Sequence, residues 1–249
     1  MTETIRYSAS THQGVVRAEN QDAYLCRPDL QIFAVADGAG GHDDGQWAAQ
    51  RVIDSLASLP ADLRPSELLQ RIRHRLTMAH EQLKMEALRR DSQKGMASTI
   101  VVLILTEEYF ACLWLGDSRI YMMRDGELIQ LTKDHSHTQA LVDAGLLRVE
   151  EMELHPQANV IIKAIGAGSQ PLMIDKCTGP LLPYDRFLLC SDGLTKSVND
   201  SNILKCLETG VNSADLLVKT ALQNHARDNV TAIVVSIEDE EKWPSNNDI

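Results

Sequence analysis

Four aspartates share one local design. Asp37 (FAVADG), Asp117 (LWLGDS), Asp192 (LLCSDG) and Asp228 (ARDNVTAIVV) each adjoin an apolar run with a glycine or small polar residue at hand. The end of a strand would hold such a carboxylate rigidly, and glycine lets backbone or solvent come close to a bound ion. Hard oxygen donors of this kind suit Mg2+ or Mn2+ rather than zinc, which favours Cys and His. Taken singly, Asp37 or Asp192 is explained equally well as a turn residue, because Asp-Gly is a common hairpin signal. Asp125-Gly126, with strand-like runs on both sides, is assigned wholly to that role. The Gly40-Gly41-His42 stretch following Asp37 shifts the balance toward a site.

The elements that must carry these carboxylates can be outlined from periodicity. Gln31 to Ala36 predicts a short buried strand ending in an Asp-Gly loop. Asp43 and Asp44 suit the start of a helix running to about Ser58, stopped by Leu59-Pro60. A second amphipathic helix is predicted from Pro65 to Arg90, with Leu68, Leu69, Ile72, Leu76 and Leu83 at helical spacing. Strands are predicted over Thr99 to Leu105 and Tyr109 to Leu115. A hairpin of Arg119 to Met123 and Glu127 to Leu131 closes at Asp125-Gly126. From Thr132 to Gly166 the pattern loosens into short helical pieces, as expected of an irregular, mobile insertion. A strand ending at Cys190, helices near Asp200 to Glu208 and Ser213 to His225, and a strand from Val230 to Ile237 complete the outline. Residues 238–249 (EDEEKWPSNNDI) read as a polar, disordered tail. Hairpins with helices in blocks indicate α+β rather than a doubly wound parallel sheet.

Composition narrows the function. The 249 residues are 44% hydrophobic and 24% charged, as in an ordinary globular protein, and are read as a single domain over residues 1–237. A net charge of −11 argues against nucleic acid as partner, since that binding relies on clustered Lys and Arg. Were the substrate to carry phosphate, bound divalent cations would have to reverse the local field. No apolar run approaches the roughly 20 residues of a membrane span, and the first residues lack the basic-then-apolar order of a signal peptide. Cys26, Cys112, Cys177, Cys190 and Cys206 have no CxxC spacing and read as reduced core thiols. The expected location is the cytoplasm, with no membrane partner.

The segments RAENQD (17–22), VADGAGGHDDG (35–45), LGDSR (115–119), SDGL (191–194) and RDNVT (227–231), in that order, resemble the motifs of bacterial type 2C metal-dependent serine/threonine protein phosphatases. Each alone is weak; five in family order are specific, and the likeness runs from about Ser8 to Ile237. The resemblance implies two packed antiparallel β-sheets flanked by helix pairs, with Mn2+ or Mg2+ at one end. It implies that Asp37 bridges two ions, that Asp22 and the Gly38 carbonyl serve one, and that Asp192 and Asp228 serve the other. Asp117 with Asp192 matches the position of a third, looser ion. Arg17 matches the residue that grips substrate phosphate. An arginine fork complements phosphate oxygens in a way a lysine cannot, although without the resemblance Arg17 also reads as a surface arginine before an acidic loop.

Some positions depart from the family pattern. Ala39 stands where other members have histidine or methionine, which leaves His42 or a metal-bound water as candidate acids toward the leaving group. A capping or packing role suits His42 as well. Gln21 replaces a glutamate, so Asp22 must supply the charge there; Gln46 and Lys163 also differ from the common residues. His74 and His80 are read as surface or boundary residues of the second helix, Met78, Met85 and Trp47 as core. His135 and His137 fall in the family's Asp-His-Ser segment before the flap and are not assigned as ligands.

The leading expectation is a monomeric enzyme removing phosphate from Ser or Thr of proteins, opposing a bacterial kinase, with its targeting supplied from elsewhere. Two others stand beside it, a catalytically silent module that binds a phosphorylated partner and a hydrolase of small phosphate compounds. The complete aspartate set argues against the silent module, since uncompensated buried like charges repel.

Overall fold

Among the described residues, eleven strands and six α-helices are arranged by one packing problem: several strands are apolar on both faces, so both faces of each sheet need a cover. The structure, a computed structural model, describes residues 3–40, 44–93, 95–168, 171–210 and 212–239. The strands are β1 (Glu3–His12), β2 (Asp22–Arg27), β3 (Ile32–Gly40), β4 (Met96–Ser98), β5 (Ile100–Leu105), β6 (Tyr109–Leu115), β7 (Arg119–Arg124), β8 (Glu127–Gln130), β9 (Asp175–Pro180), β10 (Arg186–Cys190) and β11 (Val230–Asp239). The helices are α1 (Asp44–Ala57), α2 (Pro65–Arg89), α3 (His137–Asp143), α4 (Asp192–Thr195), α5 (Asp200–Glu208) and α6 (Ser213–Gln223). One sheet has the order β1-β11-β10-β7-β8, the other β2-β3-β5-β6-β9 with β4 beside β3, and every pairing is antiparallel.

The two-residue period of a strand distributes its side chains between two cores. Phe33 and Val35 of β3, Val101 and Leu103 of β5, Phe187 and Leu189 of β10, and Ile233 and Val235 of β11 meet between the sheets. The alternate residues Ile32, Ala34, Ala36, Val102 and Ile104 pack under α1 and α2. Leu188, Cys190, Ala232 and Val234 pack under α5 and α6. The result is an α-β-β-α layering, as expected.

Several elements depart from the sequence outline. β3 runs through Asp37 and Gly38 to Gly40 instead of ending in a loop, because β4 pairs Met96–Ser98 with Gly38–Gly40. Asp37 therefore sits inside a strand. β11 extends two residues past Ile237, so Glu238 and Asp239 pair with Thr4 and Glu3 rather than joining a tail; residues 240–249 lie outside those described. β1, β2 and β9 have no counterpart in the outline. His80 is buried and its Nδ1 accepts the Gly166 N–H at 2.9 Å, which ties α2 to the end of the 132–166 insertion. Met78 and Met85 are exposed, not core. Trp47 packs beside the α1/α2 core with the Arg90 guanidinium 4.9 Å from its ring centroid.

The β7–β8 hairpin turns at Asp125 and Gly126, with φ of 52° and 79°, the left-handed pair that a tight hairpin turn requires. Asn adopts this region as readily as Asp. Asp125→Asn should therefore leave stability within about 0.5 kcal/mol of wild type in urea denaturation. Gly126→Ala has open space around the new methyl but the wrong handedness, and should cost roughly 1–2 kcal/mol.

Candidate metal centre

The carboxylates come from separate elements that meet at one end of the sandwich. Asp22 opens β2 and lies opposite Asp37 in β3 in the strand register. Asp117 sits in the Gly116-Asp117-Ser118 turn between β6 and β7, Asp192 begins α4, and Asp228 precedes β11. The other four lie within electrostatic reach of Asp37: the charges of Asp22, Asp192, Asp117 and Asp228 all bear on it.

Each is held by local chemistry. Asp22 Oδ2 accepts hydrogen bonds from Ser191 Oγ and Thr231 Oγ1, both at 2.7 Å. Thr231 Oγ1 lies 2.7 Å from Thr11 Oγ1, which accepts from Asn20 Nδ2 at 2.8 Å, so a chain of polar groups backs this carboxylate. The Asp37 backbone is clamped by Thr99, whose N–H donates to the Asp37 carbonyl at 2.8 Å and whose Oγ1 accepts the Asp37 N–H at 3.0 Å. The same Oγ1 lies 2.7 Å from Ser118 Oγ, which couples Asp37 to the Asp117 turn. That turn demands glycine at its first position: Gly116 has φ 112°, and a Cβ there would lie 2.6 Å from the Thr99 methyl. His135 brackets the turn, its N–H donating to the Gly116 carbonyl at 2.9 Å and its Nδ1 accepting the Gly116 N–H at 3.1 Å. Its Nε2 reaches Asp175 at 2.8 Å, so the ring donates outward and accepts inward. This explains the histidine of the Asp-His-Ser segment without a ligand role. Lys163 Nζ lies 4.0 Å from the same Asp175.

Asn229 gathers the approach to the site. Its Oδ1 accepts the Gln21 N–H at 2.8 Å, and its Nδ2 donates to the carbonyls of Gln13 and Glu19 at 2.9 and 2.8 Å. The RAENQD loop is thereby pinned beside Asp228. Arg17 at its start makes a two-point ion pair with Asp228, Nε to Oδ1 and Nη2 to Oδ2, both 2.8 Å. Lys196 is ion-paired with Asp192 Oδ2.

The electrostatics are those of an uncompensated anionic site. Burial, with the charges of Asp192 and Asp228 added, pushes the Asp22 carboxyl up to about 7 despite its two hydroxyl donors. Burial and the neighbouring charge of Asp192 push Asp117 to about 7 against the pull of Lys196. Asp37 is driven well above the usual carboxylate range by burial and then by Asp22, Asp192, Asp117 and Asp228. Asp228 is lowered: burial raises it, and the Arg17 fork, the Asn229 N–H and the charge of Lys196 together outweigh burial.

Among the described residues, no three His, Cys, Asp or Glu side chains close on a common point. Yet Asp22 Oδ1, Asp117 Oδ1 and Asp192 Oδ1 are buried with no hydrogen-bond partner. Partnerless buried carboxylate oxygens on aspartates whose charges bear on Asp37 are what hard divalent cations satisfy, so the chemistry of the donor set fits the expected ions. Gly38 lies in close quarters: its N–H donates to the Gln21 carbonyl at 3.1 Å, and a Cβ would lie 1.9 Å from the Gly45 carbonyl. Of the positions singled out in the sequence, Asp22, Asp37, Gly38, Asp117, Asp192, Asp228 and Arg17 gather here, while His42 lies outside the described residues. Ser191, Thr231, Asn229 and Lys196 join the site without being among the positions the sequence marks. Ser191, Thr231 and Asn229 lie inside the quoted motifs, and the i,i+4 spacing of Asp192 and Lys196 was a visible signal.

A model of the protein phosphatase 2C family matches residues 11–233. The chain belongs to the protein phosphatase 2C family. It is 35% identical over 242 residues to the serine/threonine protein phosphatase PstP of Mycobacterium tuberculosis, covering 96% of this chain and 46% of that protein. This phosphatase 2C chain thus spans about half the length of that relative. The catalytic domain of PstP in complex with two manganese ions superposes with a TM-score of 0.85 at 33% identity, covering 96% of this chain and all of that one. PppA, described as a key regulatory component of the type VI secretion system in Pseudomonas aeruginosa, matches at 34% identity with a TM-score of 0.85, covering 95% of this chain and 100% of that one.

The raised carboxylates set a pH signature for the metal-free chain. An acid whose folded pKa lies above its unfolded value favours folding in its protonated form, so its contribution is complete below about pH 4 and is lost as pH rises through about 7. With chelator present, Tm should therefore fall between about pH 5 and 7.5 because of Asp22 and Asp117. Adding Mn2+ should raise Tm most at the upper end of that range, since protons and cations compete for the same oxygens. Differential scanning fluorimetry across pH, with and without Mn2+, measures both slopes.

Proposed function

We propose that this chain is a protein serine/threonine phosphatase that hydrolyses phosphoserine and phosphothreonine, opposing a bacterial protein kinase in the cytoplasm. The observation that carries the proposal is that the charges of four aspartates bear on Asp37, while three of those four keep a buried carboxylate oxygen with no partner. When bound, a pair of Mn2+ or Mg2+ ions supplies a water acidic enough to attack phosphorus near neutral pH and offsets charge on the phosphoryl oxygens. Asp37 would serve both ions, Asp22 and the Gly38 carbonyl one of them, and Asp192 and Asp228 the other. Ser191, Thr231 and Thr99 hold Asp22 and Asp37 in place, so little reorganisation is needed when the ions bind.

Arg17 would bind the phosphate. Its guanidinium already lies within electrostatic reach of Asp37 and Asp192, and its side chain is more than half exposed, open to an incoming phosphoester. The pair with Asp228 holds the fork at the rim until substrate offers a second anion. A groove of about 920 Å3 runs from Asp117 and Asp192 past Lys196 to Asp134, Ser136 and Asn199. Its volume and its mixed polar and apolar lining suit the chain around a phosphorylated residue better than a small phosphate ester. The five free cysteines fit a reducing compartment, and no helix among the described residues is long and apolar enough to cross a membrane.

Chelator should abolish hydrolysis of a phosphothreonine peptide and added Mn2+ or Mg2+ should restore it; full activity in excess chelator would refute the proposal. Asp192→Asn, which removes charge at constant size, should preserve the fold while turnover falls by orders of magnitude at saturating metal.

Arg17→Ala should lower kcat/KM by about tenfold to a hundredfold, the scale of one hydrogen-bonded charge contact, and weaken inhibition by inorganic phosphate. Arg17→Lys should recover only part, because it keeps the charge without the fork. Unchanged kinetics and phosphate inhibition in Arg17→Ala would leave the residue with only its Asp228 pairing.

A further inference from the structure

Lys196 occupies an odd place for a cation in a site built to attract metal. It caps the single turn of α4, four residues after Asp192, and that spacing folds its stem back along the helix. The ammonium pairs with Asp192 Oδ2 and lies within electrostatic reach of Asp117 and Asp228. Asp117, Asp192 and Lys196 line the same groove at the edge of the site. Asp192 thus presents two faces: a buried Oδ1 without a partner and an Oδ2 held by Lys196.

We propose that the Lys196 ammonium is a tethered cation in the Asp117–Asp192 corner, standing where a third divalent ion would be drawn, so that this chain binds two metal ions and no third. The proposal rests on the metal-centred reading of the site given above. Its physical basis is charge and place. Asp117 and Asp192 are two neighbouring carboxylates, and a pair of this kind at the edge of a groove is an attractive seat for a weakly held divalent ion. A lysine already bonded to one of them partly neutralises the pair. It also repels an arriving ion in proportion to that ion's double charge. The ammonium needs no free metal to be present, because its concentration is set by the chain. Lys196 is a positioning residue in this account: it orients Asp192 Oδ2 and balances Asp117, and Asp192 Oδ1 is left for the core ions.

Metal counting tests it directly. Isothermal titration with Mn2+, checked by elemental analysis after desalting for the tight sites, should give two ions on the wild-type chain. Lys196→Asp removes the cation and adds a ligand, Lys196→Met removes the cation at nearly constant shape, and both should gain a third, weaker Mn2+. Lys196→Arg should stay at two. Asp117→Asn placed on Lys196→Asp should abolish the gained site, whereas on wild type it should leave the count at two. A purely structural role for Lys196 predicts loss of stability in these variants and no gained ion. Three ions on the wild type, or two on both Lys196→Asp and Lys196→Met in folded protein, would overturn the proposal and leave the two-metal reading standing. No ion on the wild type would overturn that reading, and the proposal with it.

Discussion

Five carboxylates in one confined place repel one another, and much of the structure around the site answers that repulsion. Burial and mutual charge drive Asp22, Asp37 and Asp117 toward the protonated form. Three kinds of compensation surround them. Hydroxyls donate to Asp22, an arginine fork grips Asp228, and a lysine pairs with Asp192. What remains uncompensated is a small set of buried carboxylate oxygens without a partner, and that residue of negative charge is what a divalent cation would neutralise. A site of this kind is costly without its ions and stable with them, which couples metal binding to folding.

The sandwich supplies the rigidity that such a site needs. Because both faces of its central strands are buried, Asp22, Asp37, Asp117, Asp192 and Asp228 are carried by backbone anchored in three apolar cores. Asp22 and Asp37 face each other across a β2–β3 register that also pairs Tyr24 with Val35 and Cys26 with Phe33. A slip of one residue would turn Asp37 away and put apolar side chains in its place. Glycines act where chains come closest. Gly193 next to Asp192 leaves a position where a Cβ would lie 2.0 Å from the Asn229 carbonyl, so α4 and the loop before β11 can touch only there without a side chain.

The 132–166 insertion is fastened to this frame at both ends. Arg119 of β7 holds Asp134 through a two-point ion pair, with the closest contact at 2.7 Å, and His135 brackets Gly116. At the far end Ile165 bridges Ser98, and Gly166 donates to His80. The groove beside Asp117 is lined by residues of this insertion and of α4 and α5.

The amino-acid sequence by itself marked the carboxylate donors and the layer type. Asp-Gly and Asp-Ser steps beside apolar runs marked the carboxylates, and hairpins with block-wise helices marked α+β, because both signals are local in the chain. The strands it concealed were those whose partners are distant or whose residues are mixed: β1 pairs with β11 more than two hundred residues away, and β9 (DKCTGP) mixes charge, cysteine, glycine and proline. Only the tertiary structure decided that Asp37 lies within a strand, since β4 is needed to extend β3. Likewise the Arg17–Asp228 pair, the burial of His80 and the hydroxyls behind Asp22 join residues far apart in sequence. Lys196 stood four residues from Asp192 in plain view, yet its role depended on Asp117 arriving from another loop. Residue type sets what a group can do; the field it works in is made by neighbours that only folding brings together.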